Sequence, residues 1–216
     1  MTTATVVGSG PNGLSAAIRL AQAGVAVTVL EAEPTIGGGA RTAELTLPGV
    51  LHDVCSTAMP GVMSSPFLRT LDLERHGLRW RRHEAALAHP LDDGTAALLW
   101  QDVSRTAQGL GAGGAAWTRA FGPLVRGYEH MVDDTFGPLV HWPRHPLTMA
   151  STGLRALPSV ALFNRQFSGA HARGLFAGSA AHGFGRHDAP LSAAVGVMLI
   201  AAAHAAGWPI VEGGSG

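Results

Sequence analysis

The spacing of apolar positions changes character several times along the chain. Residues 4–7, Ala-Thr-Val-Val, are a short apolar run that predicts a buried strand. In residues 12–24 the apolar side chains Leu14, Ala17, Ile18 and Ala21 recur at helical spacing, and Gly24 stands where a helix terminator belongs. Val25–Leu30 is rich in β-branched residues and predicts a second strand. Strand, helix and strand in immediate succession make a βαβ unit with parallel strands and a right-handed crossover. Residues 43–76 keep no regular period, apart from one helix expected around 66–77. Short apolar runs flank Asp92-Asp93-Gly94, so two or three antiparallel strands are expected over 77–100. From Asp102 onward the period is helical, with segments near 102–110, 114–134, 146–158, 171–181 and 190–206. Phe-Gly-Pro-Leu-Val occurs at Phe121 and again at Phe136, an echo too short to define a repeat.

This order implies an α/β fold. A Rossmann-like βαβ head with an incomplete parallel sheet is followed by an α+β portion, with one boundary expected between residues 1–76 and 77–216.

Composition narrows the function classes. The 216 residues are 46% hydrophobic and 14% charged, which is globular rather than disordered. Lys+Arg and Asp+Glu balance at 15 each, so no basic excess points to nucleic acid. Cys55 is the single cysteine, which rules out an internal disulfide or a C-x-x-C redox pair and fits a reducing compartment. Only Met1–Thr3 precede the first strand, with no basic leader, and a cytoplasmic location is expected. Residues 191–208 approach the length of a membrane span. They are mostly small and include His204, so a buried helix is expected and not a transmembrane segment.

The chemistry concentrates at the head. Gly8-Ser9-Gly10-Pro11-Asn12-Gly13 is G-x-G-x-x-G placed between a strand and a helix. In that context Gly8 permits the turn, Gly10 admits a pyrophosphate to the backbone, and Gly13 lets helix and strand pack closely. The free N–H groups and the positive helix end then face the phosphates. Glu31 closes the second strand, where a carboxylate accepts hydrogen bonds from ribose hydroxyls and repels a 2′-phosphate.

A second glycine cluster, Gly37-Gly38-Gly39, follows with Arg41 and Thr42, and a plain NAD site has no need of it. Here the segment "VVGSGPNGLSAAIRLAQAGVAVTVLEAEPTIGGGARTAEL" resembles the N-terminus of FAD-dependent oxidoreductases of the phytoene dehydrogenase (carotenoid desaturase) and amine oxidase type. Within that group it is most similar to the phytoene dehydrogenase-related branch, which includes the pyridine nucleotide-disulfide oxidoreductase domain-containing type. "GVLHDVCST" at Gly49–Thr57, "HPLDDG" at His89–Gly94 and the terminal "GWPIVEGGSG" resemble the same branch.

The resemblance implies FAD as cofactor and hydride transfer from an apolar small molecule to the flavin. Gly8, Ser9, Gly10, Asn12 and Gly13 would surround the pyrophosphate and Glu31 would hold the adenosine ribose. Gly37 and Gly38 would form the second glycine pair, with Thr42 at the matching distance behind. Gly39 stands where the group often has arginine, so Arg41 would take that role. His52 and Asp53 would pass near the flavin, with a turn-stabilising role for Asp53 as the alternative. Residues 77–216 would be part of a substrate domain. The flavin does the redox chemistry in such enzymes, so no catalytic side chain is expected.

Other chemistries find less support. The histidines show no compact ligand spacing, so no metal centre is expected. There is no G-x-S-x-G nucleophile elbow and no Walker P-loop. Cys55 is expected to be buried or inert. The five tryptophans are scattered as packing residues, not as a stacking platform. Members of the resembling group return their chain to the first sheet, whereas this chain ends at Gly213-Gly214-Ser215-Gly216. It is therefore expected to be an N-terminal fragment or one half of a split protein, with a C-terminal half as partner. The alternatives left open are an inactive nucleotide-binding remnant, a small NAD-dependent dehydrogenase, and peripheral membrane contact.

Overall fold

The computed structural model describes residues 1–138 and 140–216, so the second Phe-Gly-Pro-Leu-Val echo contains one residue, Leu139, outside the described set. The chain divides into two compact units that interleave in sequence. One comprises Met1–Met59, Asp72–Arg81 and Ile210–Gly216, and the other Pro60–Leu71 and Arg82–Pro209. The chain passes between the two units more than once.

The first unit begins with β1 (Thr3–Val7), α1 (Pro11–Gln22) and β2 (Ala26–Leu30). β1 and β2 pair in parallel from Thr3↔Ala26 to Val7↔Leu30, as the βαβ reading expects. Pro11 opens α1 at a position where its missing N–H costs nothing. Gly24 closes it at φ 81. The Gly24 N–H donates to the Ala21 carbonyl at 2.9 Å and the Val25 N–H to that of Leu20 at 3.1 Å, the paired bonds of a Schellman ending. α1 packs on both strands. Val7 is nonetheless 83% exposed and its partner Leu30 52% exposed, whereas parallel sheets are ordinarily covered on both faces.

Next come the antiparallel pair β3 (Thr42–Glu44) and β4 (Leu51–Asp53), and then α2 (Pro60–Ser64) in the second unit. The single helix expected at 66–77 is absent. Leu68–Leu71 and Leu73–His76 are separate 3₁₀ turns, interrupted by Asp72 at φ 49. A left-handed residue cannot continue a right-handed helix.

β5 (Trp80–Arg81) belongs to the first unit. In the second, β6 (Ala85–Pro90) and β7 (Ala96–Trp100) form the expected hairpin around Asp92–Gly94. The helices are α3 (Val103–Gly109), α4 (Gly114–Arg126), α5 (Tyr128–Thr135), α6 (Pro146–Ala156), α7 (Val160–Phe163), α8 (Ala170–Ala180) and α9 (Ala193–Ala206). The expected helix 114–134 divides at Gly127 into α4 and α5. Glycine is a poor helix former, and Pro123 one turn earlier supplies no N–H. β8 (Ile210–Val211) returns to pair with β5, so the third strand expected beside the hairpin lies in the other unit.

The second unit holds the main core. Trp117, Phe121, Phe167, Phe176 and Ile200 are fully buried there. The Trp117 and Phe121 ring centroids are 4.5 Å apart, as are those of Phe163 and Phe176. α9 is buried along most of its length, and no helix among the described residues is long and apolar enough to cross a membrane. Its His204 is 3% exposed, accepts the Trp117 indole N–H at Nε2 (3.0 Å), and lies 3.0 Å from the Gln101 carbonyl through Nδ1.

Candidate nucleotide-binding site

The turn from β1 into α1 has the shape its glycines permit. Gly8 sits at φ 93, and its N–H donates to the Leu30 carbonyl at 2.7 Å. A Cβ on Gly13 would stand 2.1 Å from the Gly8 carbonyl oxygen, so only glycine lets α1 start this close to the strand end. Pro11 has no N–H. Those of Asn12 and Gly13 lie in the first turn of α1, before the helix's own hydrogen-bond ladder begins.

Ser9 is buried inside this turn. Its N–H donates to Oε2 of Glu31 at 2.8 Å, and its hydroxyl bonds to the same oxygen. Oε1 of Glu31 accepts the Glu33 N–H at 3.0 Å. The Ser9 hydroxyl, followed by the Glu33 and Ser9 N–H groups, lowers the Glu31 carboxyl to about 2. Glu31 is therefore ionised at neutral pH and fixed in orientation, and Oε1 keeps a lone pair for a further donor.

The second glycine cluster folds onto the first. Gly37 (φ 111) donates its N–H to the Ser9 carbonyl at 3.0 Å. Gly38 (φ 56) lies so near the first loop that a Cβ on it would be 2.9 Å from the Gly10 Cα. Arg41 Nε donates to the Gly38 carbonyl at 2.9 Å, and Nη1 lies 3.6 Å from Glu33 Oε2. Arg41 is thus committed to its own loop and to one exposed acid, a pair of small energetic weight.

Thr42 faces elsewhere. Its hydroxyl donates to Asp53 Oδ1 at 2.9 Å and accepts the Gly216 N–H at 2.9 Å. The same Asp53 oxygen accepts the Ser215 N–H (2.8 Å) and hydroxyl (3.0 Å), while the Ser215 hydroxyl also donates to the Ala40 carbonyl. Partial burial would push the Asp53 carboxyl up, but the Ser215 N–H and the Thr42 and Ser215 hydroxyls bring it down.

The structure therefore gathers Gly8, Ser9, Gly10, Gly13, Glu31, Gly37 and Gly38 at one place. Asn12 is exposed at the helix start, and Arg41 borders the cluster. Thr42 belongs to a second cluster with Asp53 and Ser215. Ser215 was not singled out from sequence. The signal was present in "GGSG": a Cβ on Gly214, at φ 107, would fall 2.3 Å from the Thr42 hydroxyl oxygen. His52 bonds through Nε2 to the Thr46 hydroxyl at 2.7 Å. Cys55 is a free, exposed thiol, so of the two expectations, buried or inert, burial does not hold. Among the described residues no group of three or more His, Cys, Asp or Glu is placed to hold a metal ion.

The donor set fits an adenine dinucleotide. The approach to the α1 start is lined by glycines, and a Cβ at Gly8 would meet nothing within 4 Å. Among the described residues the Asn12 and Gly13 N–H groups have no recorded backbone partner, and an ionised carboxylate is held at the end of β2.

Comparison with known proteins agrees with this geometry. Residues 6–72 match the family described as "NAD(P)-binding Rossmann-like domain". Hydroxyneurosporene desaturase of Cereibacter sphaeroides is 32% identical over 160 residues, covering 71% of this chain and 31% of that protein. Wild-type putrescine oxidase bound to putrescine aligns with a TM-score of 0.58 at 21% identity, over 98% of this chain and 47% of that one. An oxidoreductase from Methanosarcina mazei aligns with a TM-score of 0.52 at 19% identity, over 100% and 46%. The chain spans about a third of the desaturase's length and just under half of each solved structure. Residues 6–72 carry a Rossmann-like dinucleotide-binding domain; over its matched length the chain is similar to the desaturase, and it shares the fold of the putrescine oxidase structure.

Proposed function

We propose that this chain supplies the FAD-binding head of an FAD-dependent oxidoreductase of the dehydrogenase or desaturase kind, acting on an apolar small molecule. The observation that carries the reading is the meeting of two glycine segments at Gly10 and Gly38, beside a Glu31 that Ser9 holds ionised. A plain NAD site uses the first segment alone.

In this reading the N–H groups of the Gly8–Gly13 turn and the start of α1 bind the pyrophosphate. Glu31 receives a ribose hydroxyl and disfavours a 2′-phosphate. Gly37 and Gly38 keep side chains away from the phosphates, and Arg41 faces them from the loop edge. Thr42 acts at one remove, tying that loop to Asp53. When bound, the flavin supplies a two-electron acceptor for substrate hydride. The chain's own residues bind and orient it, and none is assigned a catalytic role. Residues 1–76 then contribute the nucleotide-binding part and 77–216 a portion of the substrate side, in a cytoplasmic protein. The desaturase and oxidase relatives support the oxidoreductase class, and the full reaction is a property of architectures longer than this chain.

The test is the visible absorption spectrum after incubation with FAD and gel filtration. Flavin bands that co-elute with the protein, and that are lost in Gly38→Val, support the reading. Their absence at saturating FAD would overturn it.

A further inference from the structure

The chain is neutral overall, yet from Thr135 to His187 it contains no Asp or Glu and five arginines: Arg144, Arg155, Arg165, Arg173 and Arg186. Within the helical unit a cleft of about 340 Å³ opens in this region. Its walls are Arg119 and Ala120 of α4, Leu154 and Arg155 of α6, and Leu162 and Phe163 of α7. Arg155 is braced on two sides. Its Nε donates to the Ala120 carbonyl at 2.9 Å, and its Nη1 to the Ser151 carbonyl at 2.9 Å and hydroxyl at 2.7 Å. The guanidinium plane is therefore fixed, with Nη2 left as a donor. Arg119 lies across the cleft and is exposed. Neither arginine is in an ion pair among the described residues; those pairs use Arg41, Arg69, Arg75, Arg81, Arg105 and Arg186. Beside the two cations, Leu154 is 71% exposed and Leu162 54% exposed, over a floor of buried Phe163.

Two guanidiniums without carboxylates, one of them held rigid, are a site for a carboxylate or phosphate. Exposed leucines next to them are a site for an aliphatic chain. We propose that this cleft binds the anionic head and first methylenes of a small amphiphile, with Arg155 and Arg119 on the head and Leu154 and Leu162 on the chain. It lies wholly within the helical unit and stands independently of nucleotide binding in the other.

Isothermal titration of the 216-residue protein with decanoate tests this. The expected result is one saturable site, with acetate (head without chain) and decanol (chain without charge) at least about tenfold weaker. Arg119→Gln should weaken decanoate about tenfold, and Leu154→Ser should do the same. Arg165→Gln removes the same charge outside the cleft and should leave affinity within about twofold. Arg119 makes no internal hydrogen bond among the described residues, so the thermal midpoint of Arg119→Gln should match the wild type, which separates binding from folding. Equal affinity for decanol, or equal losses in Arg119→Gln and Arg165→Gln, would overturn the proposal. Co-sedimentation with phosphatidylglycerol vesicles, abolished by Arg119→Gln, would assign the head to a lipid. Decanoate binding without co-sedimentation would assign it to a soluble amphiphile.

Discussion

Gly38 stands against Gly10 so closely that a Cβ on Gly38 would lie 2.9 Å from the Gly10 Cα. The residues come from different glycine segments, and Gly38 is also left-handed at φ 56. Gly38→Ala therefore combines a backbone clash with a strained conformation. It should cost about 1–3 kcal/mol in urea denaturation and reduce FAD retention. Gly39→Ala is the control, because its Cβ would make an ordinary contact, 3.5 Å from Cys55 Cβ. Equal losses in the two variants would separate the clash from the site.

Ser9 and Glu31 should be coupled in titration. The Ser9 hydroxyl is the largest influence holding the Glu31 carboxyl at about 2. Ser9→Ala should move it upward toward the ordinary carboxylate range, read by carbon-detected NMR across pH 2–6. The sign for stability follows from linkage. A depressed carboxyl contributes stability that is complete above its unfolded value of about 4.3 and is lost as pH falls toward 2. The acid limb of the wild-type stability curve should therefore be shallower in Ser9→Ala.

The Trp117–His204 pair makes the helical core acid-sensitive. Burial lowers the His204 pKa below 6.5, outweighing the Gln101 carbonyl that raises it. Its stability contribution is complete above about 6.5 and falls as pH drops below that value, because the unfolded chain takes the proton first. Trp117→Phe leaves Nε2 as a buried acceptor without a donor and should cost about 1–3 kcal/mol at pH 8, before any penalty for the smaller ring. Thermal midpoints of wild type and variant at pH 8 and pH 5.5 test both statements.

Asp134 staples the stretch after α5. Oδ1 accepts the Arg144 N–H at 2.8 Å and Oδ2 the His145 N–H at 2.9 Å. Burial would push its carboxyl up, but these two N–H groups, together with the His141 and His145 side chains, bring it down. Asp134→Asn turns one acceptor into a donor facing an N–H, and should speed proteolytic cleavage between residues 140 and 145. Cleavage at wild-type rate would show that the two bonds do not protect these residues.

The head was legible in sequence because each of its elements is locally determined. Leu14, Ala17, Ile18 and Ala21 fix the helix face, Gly24 its end, and Gly8, Gly10 and Gly13 the turn. The helical region was legible in type but less so in its boundaries, since Gly127 and Pro123 act together to split one expected helix. The interleaving of the units was not legible. It depends on β8 finding β5, a pairing of two-residue strands far apart in the chain whose pattern carries no register. Within the candidate site, sequence spacing located Glu31 but not its partner. That Ser9 occupies Oε2 follows from the backbone path between β1 and α1, not from spacing. For Thr42, too, spacing located the residue behind the second glycine pair but not its partners, Asp53 and the Gly216 N–H.

The central claim is that the Gly8–Gly13 turn, Gly38 and Glu31 hold the ADP half of FAD. Equilibrium dialysis of the 216-residue chain against FAD, with ADP and FMN as competitors, tests it most directly. The account predicts saturable FAD binding that ADP displaces and FMN does not, weakened in both Gly38→Ala and Glu31→Gln. Displacement by FMN but not ADP, or FAD binding unchanged in both variants, would contradict it.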